Sequence, residues 1–123
     1  MAQGRSSAMG LVALVFVFFG LLELSTATTY TVGDSGGWTF GVSDWPKGKK
    51  FVAGDVLVFN YPAGNHNVVP VNADGYNSCS VPPGSKTYTS GEDRVTLNKG
   101  DNFYICGFAD HCDAGMQIQA NAA

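Results

Sequence analysis

The chain has 123 residues with seven basic and ten acidic side chains, which give a formal net charge of −3. Its longest run of basic residues is the pair Lys49-Lys50, so it lacks the clustered positive charge with which proteins bind nucleic acids. Length and charge indicate a small protein whose partner is not a nucleic acid.

The amino terminus has the pattern of a secretory signal peptide. Arg5 is the only charged residue before Glu23, residues 11–22 are apolar except for one glycine, and small residues follow up to Ala27. This pattern predicts cleavage after Ala27 and an extracellular mature chain without a membrane anchor. The alternative is an uncleaved signal anchor, but the apolar stretch is shorter than the ~20 residues that a spanning helix needs.

The predicted mature chain comprises residues 28–123, which form one small domain with a modest core. It retains six basic and nine acidic residues, so its net charge is still −3. It also retains all three cysteines, Cys79, Cys106 and Cys112. An odd number of cysteines in an oxidising compartment predicts one disulfide and one thiol with another role.

Short runs rich in β-branched and aromatic residues follow one another along the mature chain, with turn-forming residues between them. They predict an all-β fold, an antiparallel sandwich or barrel. No stretch has a convincing helical period, although residues 73–79 could form one or two helical turns. The predicted strands cover residues 55–61, 67–71, 94–97, 102–106 and 116–120.

Residues 106–116 read CGFADHCDAGM and place Cys106, His111 and Met116 at steps of five residues. The mature chain has only one other histidine, His66, in the turn between the first two predicted strands, and no other methionine. Two imidazoles, one thiolate and a weakly held thioether are the ligands of a blue copper centre, because thiolate favours Cu(I) and imidazole suits both oxidation states. The sequence therefore predicts one type 1 copper ion bound by His66, Cys106, His111 and Met116.

Each of these residues also has a structural interpretation. His66 could be an exposed turn residue, Met116 could belong to the core, and Cys106 could pair with either of the other cysteines. A zinc-binding structural module is a further alternative, although it leaves Met116 unused and Cys79 unpaired. Its ligands would be His66, Cys106, His111 and Cys112.

If Cys106 binds the metal, Cys79 and Cys112 are the remaining pair. A disulfide across 33 residues would stabilise the fold by roughly 3–4 kcal/mol, because it restricts the unfolded chain. It would also anchor the residue beside His111.

The mature chain resembles the phytocyanins, plant members of the cupredoxin family, and within them the plantacyanins or basic blue proteins. The resemblance is carried by CGFADHCDAGM and, with less specificity, by four other stretches. These are VGDSGGWTF at 32–40, AGDVLVFNY at 53–61, GNHNV at 64–68 and GYNSC at 75–79.

The resemblance implies a Greek-key β-sandwich with copper near one end, the four ligands named above and a Cys79–Cys112 disulfide. It also implies secretion to the apoplast or cell wall, and electron transfer through histidine edges near solvent. Stellacyanin-like relatives carry glutamine as the axial ligand, whereas this chain has Met116.

The preferred hypothesis is a monomeric, non-enzymatic carrier that exchanges single electrons by outer-sphere transfer with a transient redox partner, either a protein or a small molecule. The alternative is an extracellular cell-wall or reproductive signalling protein in which copper is mainly structural. The chain departs from the basic members of the family, because it is acidic and has Asp110 and Asp113 on either side of His111. A partner cannot therefore be inferred from a basic surface.

Overall fold

The computed structural model describes residues 26–123. The predicted signal sequence lies almost entirely outside these residues, and the boundary after Ala27 stays a prediction. Among the residues that the structure describes, no helix has the length and apolar character needed to cross a membrane.

Six strands form two three-stranded sheets. In the first sheet the order is β1, β2, β4, and in the second it is β3, β5, β6. The strands are β1 (Thr29–Thr31), β2 (Val56–Asn60), β3 (Val69–Val71), β4 (Glu92–Thr96), β5 (Gly100–Ile105) and β6 (Gln117–Ala122). A 3₁₀ turn at Asp34–Gly36 follows β1, and the helix α1 (Ala73–Ser78) follows β3.

The two sheets pack face to face around an apolar core. Buried and exposed residues alternate along β4 and β6, as expected for strands with one face on the core. Phe59 of β2 contacts Tyr104 of β5 across the interface, with ring centroids 5.3 Å apart, and Trp38 packs edge-on against Phe59. These contacts confirm the predicted β-sandwich.

A second, smaller apolar cluster lies on the other face of the second sheet. Val69, Ile105 and Cys112 are buried there, and Tyr76 of α1 packs against them. The helix begins at an Asn72 cap, whose side chain accepts a hydrogen bond from the amide of Gly75. The suggested helical turns at 73–79 are thus confirmed, and they cover the second sheet.

The predicted strands correspond to β2 through β6, with shifted ends, and two features differ from the prediction. Strand β1, for which no bounds were predicted, precedes the glycine-rich turn at 33–37, and it pairs with β2 in parallel, so the sandwich is not wholly antiparallel. In addition, Asn67 and Val68 precede β3 rather than belong to it. Val68 instead forms an isolated bridge with Tyr88, and the pairing with β5 begins only at Val69.

Candidate metal centre

His66, Cys106 and His111 converge at one end of the sandwich. Each offers one donor atom, and the three atoms lie within 4.8 Å of one another. The Nδ1 atoms of the two histidines are 3.0 Å apart, and Nδ1 of His111 is 3.5 Å from Sγ of Cys106. These residues come from the loops that follow β2 and β5, so the site is made where these two loops meet.

The first loop places His66 through a tight turn. The amide of Asn65 donates to the carbonyl of Pro62, and Gly64 has a φ of +91°, in the region that favours glycine. The side chain of His66 is largely buried, and burial, with a smaller contribution from nearby His111, lowers its pKa. A lowered pKa favours the neutral imidazole, which is the form that binds metal ions.

The second loop carries the other predicted ligands and is closed by backbone hydrogen bonds. The amide of Cys106 donates to the carbonyl of Met116 at 3.0 Å, and the amide of Met116 donates to the carbonyl of His111 at 3.1 Å. Before Met116, Gly115 has a φ of +92°, and a Cβ there would lie 2.8 Å from the amide nitrogen of Gly41. Only glycine fits this contact.

Met116 is completely buried and belongs to the same core cluster as Cys106. Its backbone bonds to both Cys106 and His111 hold the residue beside them. The structure therefore brings three of the predicted ligands together and buries the fourth next to them.

The disulfide between Cys79 and Cys112 is present, with the two Cα atoms 5.6 Å apart, which confirms the predicted pairing. It connects the end of α1 to the residue that follows His111. Cys106 is the free, buried cysteine. Because the sulfur of Cys112 is in the disulfide, the alternative zinc site that used Cys112 as a ligand is wrong.

Phe40 and Asn67 lie near the site and were not predicted from the sequence as part of it. Phe40 contacts both histidines, with ring centroids 5.5 Å from His66 and 4.9 Å from His111. Asn67 accepts a hydrogen bond from the amide of Gly107 at 2.6 Å and so joins the two ligand loops. The only signal for Asn67 is its position next to His66, and nothing local in the sequence identifies Phe40.

Tyr61 and Asp93 form a buried hydrogen-bonded pair beside His66. The hydroxyl of Tyr61 donates to the carboxylate of Asp93, which also accepts from the hydroxyl and amide of Ser90. The ring of Tyr61 lies 6.2 Å from that of His66. Burial, followed by the hydrogen bond to Asp93, raises the pKa of Tyr61 to about 12, so its hydroxyl keeps its proton at pH values where an exposed tyrosine loses it.

The donor set fits copper. One free thiol and two imidazoles converge without a carboxylate in the group, and the side chain of Met116 is buried in the same core cluster as the thiol. Soft sulfur and imidazole donors suit copper better than they suit magnesium or calcium, which prefer oxygen.

The comparisons with known proteins agree with this chemistry. Residues 38–116 match the family model for the plastocyanin-like domain. The chain is 54% identical to a basic blue protein of Arabidopsis thaliana, with 99% of each chain covered, and 52% identical to a chemocyanin of Lilium longiflorum, with all of each covered.

A solved structure extends the agreement to the fold. Cucumber basic protein, a blue copper protein, superimposes with a TM-score of 0.77 at 53% identity, covering 78% of this chain and 100% of that one. Sequence, fold and the converging donor atoms all point the same way. The chain belongs to the phytocyanins, the plantacyanin-like group of the plastocyanin-like blue copper proteins.

Proposed function

We propose that His66, Cys106, His111 and Met116 hold one copper ion and that the chain carries single electrons between partners by outer-sphere transfer. The observation that carries this proposal is the convergence of the first three donor atoms within 4.8 Å of one another. Copper bound there supplies a one-electron couple between Cu(I) and Cu(II). The family is one of copper proteins that are not enzymes.

The chain's own residues suit this task because they hold the donor atoms in place and exclude water. Cys106 and Met116 are at most 1% exposed, and His66 is 9% exposed. The hydrogen bonds that close the second loop and the Asn67–Gly107 bond restrict movement of the donors. Donors that need not move between two oxidation states keep the reorganisation energy of electron transfer low.

Secretion to the apoplast or cell wall is part of the same proposal. The disulfide supports it, because such bonds persist in oxidising compartments. The predicted signal sequence at residues 1–27 agrees with it. Amino-terminal sequencing of the protein secreted by plant cells should find Thr28 first, and retention of residues 1–27 would contradict the proposal.

The test of the copper site is the colour and electrochemistry of the purified protein. We expect the Cu(II) form to be intensely blue and to exchange one electron reversibly at an electrode. Cys106→Ser should abolish the colour, because the thiolate is the origin of the charge-transfer absorption, and should keep the fold and the Cys79–Cys112 disulfide.

Two results would contradict parts of the proposal separately. A blue Cys106→Ser variant would show that Cys106 is not the thiolate ligand. A blue parent protein that exchanges no electron at the electrode or with soluble redox reagents would instead favour a structural role for copper.

A further inference from the structure

An exposed face surrounds His111 at the metal end of the sandwich. Phe40 and Phe108 are 49% and 38% exposed, respectively, and both rings contact the half-buried ring of His111 at centroid distances of 4.9 and 5.5 Å. They are two of the four large apolar side chains exposed among residues 26–123. We call the surface formed by Phe40, Phe108, Asp110, His111 and Asp113 the ligand-end face.

The charges on the ligand-end face are negative. Asp110 and Asp113 are exposed. Asp110 directly precedes His111, and Asp113 follows His111 by two residues. The two ion pairs within the described part of the chain, Lys47–Asp44 and Arg94–Glu92, involve neither of these carboxylates. Both charges are therefore available to a partner.

The basic residues lie elsewhere. Lys99 directly precedes β5, whereas Cys106 directly follows it, so these residues are separated by the strand's six residues, or about 20 Å. Lys50 is beside Phe51, which pairs with Ala122 at that same remote end. This separation exceeds the Debye length of ~8 Å at physiological ionic strength, so these lysines do not neutralise the ligand-end face.

The other four basic residues of the described chain are held by their own neighbours. Lys49 donates to the carbonyl of Trp45, whose ring packs against Phe51 at the remote end. Lys47 and Arg94 are the cations of the two ion pairs, and Lys86 lies over the ring of Tyr88. Tyr88 pairs with Val68 in an antiparallel bridge, which directs the chain from Tyr88 towards Lys86 away from His66. The ligand-end face thus combines an apolar centre with unneutralised negative charge.

We propose that the ligand-end face docks a redox protein whose contact surface is positively charged, an inference that rests on the proposed electron transfer. Apolar contact around His111 would bring the two redox centres close, and Asp110 and Asp113 would attract and orient the partner. The relative from Arabidopsis is named a basic blue protein. This chain has a net charge of −3 and no basic residue at the ligand-end face, so it selects a partner of opposite charge to itself.

The first experiment locates the charge without electron transfer. The reduced, copper-loaded protein is titrated with hexaamminechromium(III), a redox-inert paramagnetic cation, and with hexacyanochromate(III), its anionic counterpart. We expect the cation to broaden the amide NMR signals of residues 108–113 first, and the anion not to broaden them.

The second experiment measures electron transfer from a basic protein. Ferrocytochrome c, whose haem iron gives up one electron, reduces the Cu(II) form, and hexacyanoferrate(II) serves as the anionic donor. At about 10 mM salt, we expect Asp110→Asn/Asp113→Asn to slow reduction by cytochrome c about five- to tenfold and not to slow reduction by hexacyanoferrate. About 0.5 M salt should remove most of the difference between variant and parent.

The matched control is Asp74→Asn/Asp101→Asn, which changes the net charge equally. Both residues are exposed, Asp74 in the first turn of α1 and Asp101 opposite Asn121 at the remote end of β5. We expect this variant to react with cytochrome c within about twofold of the parent. Equal slowing by both double variants would mean that only the net charge matters and would overturn the inference.

The remaining outcomes separate the inference from the proposed function. Reduction by cytochrome c that is insensitive to Asp110→Asn/Asp113→Asn, or chromium broadening centred elsewhere, would overturn the docking inference and leave electron transfer standing. A protein that exchanges electrons with neither donor would overturn the proposed function and the docking inference with it.

Discussion

Replacement of both cysteines of the Cys79–Cys112 disulfide by alanine would test how the disulfide stabilises the fold and the ligand loop at 106–116. The bond closes a loop with a sequence separation of 33 residues. With that length, the chain-entropy relation gives a stabilisation of about 3.7 kcal/mol at 25 °C. Buried packing around Cys112 adds to this, so we expect Cys79→Ala/Cys112→Ala to lose about 3–5 kcal/mol of unfolding free energy.

The measurement is urea denaturation of the copper-free protein, followed by tryptophan fluorescence, to which buried Trp38 and half-buried Trp45 contribute. For a domain of this size, the expected loss corresponds to a fall in Tm of about 15–25 °C. The parent protein with its disulfide reduced is the matched control and should unfold close to the double variant. A loss below about 1 kcal/mol would refute the entropic estimate.

The same variant also separates fold from site. Cys112 is adjacent to His111, so the freed loop should hold the imidazole less firmly. We expect a chelator to remove copper faster from the double variant than from the parent under conditions in which both are folded. Equal rates would mean that the disulfide stabilises the fold without positioning His111.

Three further predictions address individual residues. Asn67→Ala should lower the unfolding free energy by about 1 kcal/mol and speed copper release to a chelator, because the Gly107 amide loses its acceptor. Asn65 does not accept this hydrogen bond, so the control Asn65→Ala should not speed release. Met116→Gln should keep the blue colour but lower the reduction potential measured by voltammetry, because an amide oxygen favours Cu(II) more than a thioether does; an unchanged or raised potential would make Met116 a core residue only. Tyr61→Phe should cost about 1–3 kcal/mol at pH 7, since buried Asp93 loses a donor. In the parent, folding raises the pKa of Tyr61 to about 12, so the unfolded state loses the proton first and the unfolding free energy falls from pH 10 to 12. Urea unfolding of the variant should show a shallower fall of the unfolding free energy over this range. An identical fall in parent and variant would contradict the assignment.

The strands that could be predicted with defined ends are those whose own residues favour extended structure. Strands β2 to β6 combine β-branched or aromatic residues with turn residues at their ends. Strand β1 reads Thr-Tyr-Thr, which also favours extended structure, but its sequence does not show which strand it pairs with. It is held by parallel pairing with β2, and beside it the amide of Thr28 donates to buried Asp55, a contact 27 residues away.

The candidate ligands could be predicted because their residue types are rare in the mature chain. The surroundings could not, because they depend on distance in space. Phe40 reaches both histidines from a loop that bonds to the ligand loop through Gly41 and Ala114. Only the folded chain brings these segments together.

The ligand loop is restrained at three places that use different chemistry. A backbone bond joins Cys106 to Met116, the Asn67 side chain holds Gly107, and the disulfide fixes Cys112. None of these restraints uses the donor atom of a proposed copper ligand. Removal of one should therefore weaken the hold on copper and leave the ligand set intact, whereas Cys106→Ser removes a donor and should abolish the blue centre. This difference between graded and complete loss is what distinguishes a residue that positions ligands from the thiolate ligand itself.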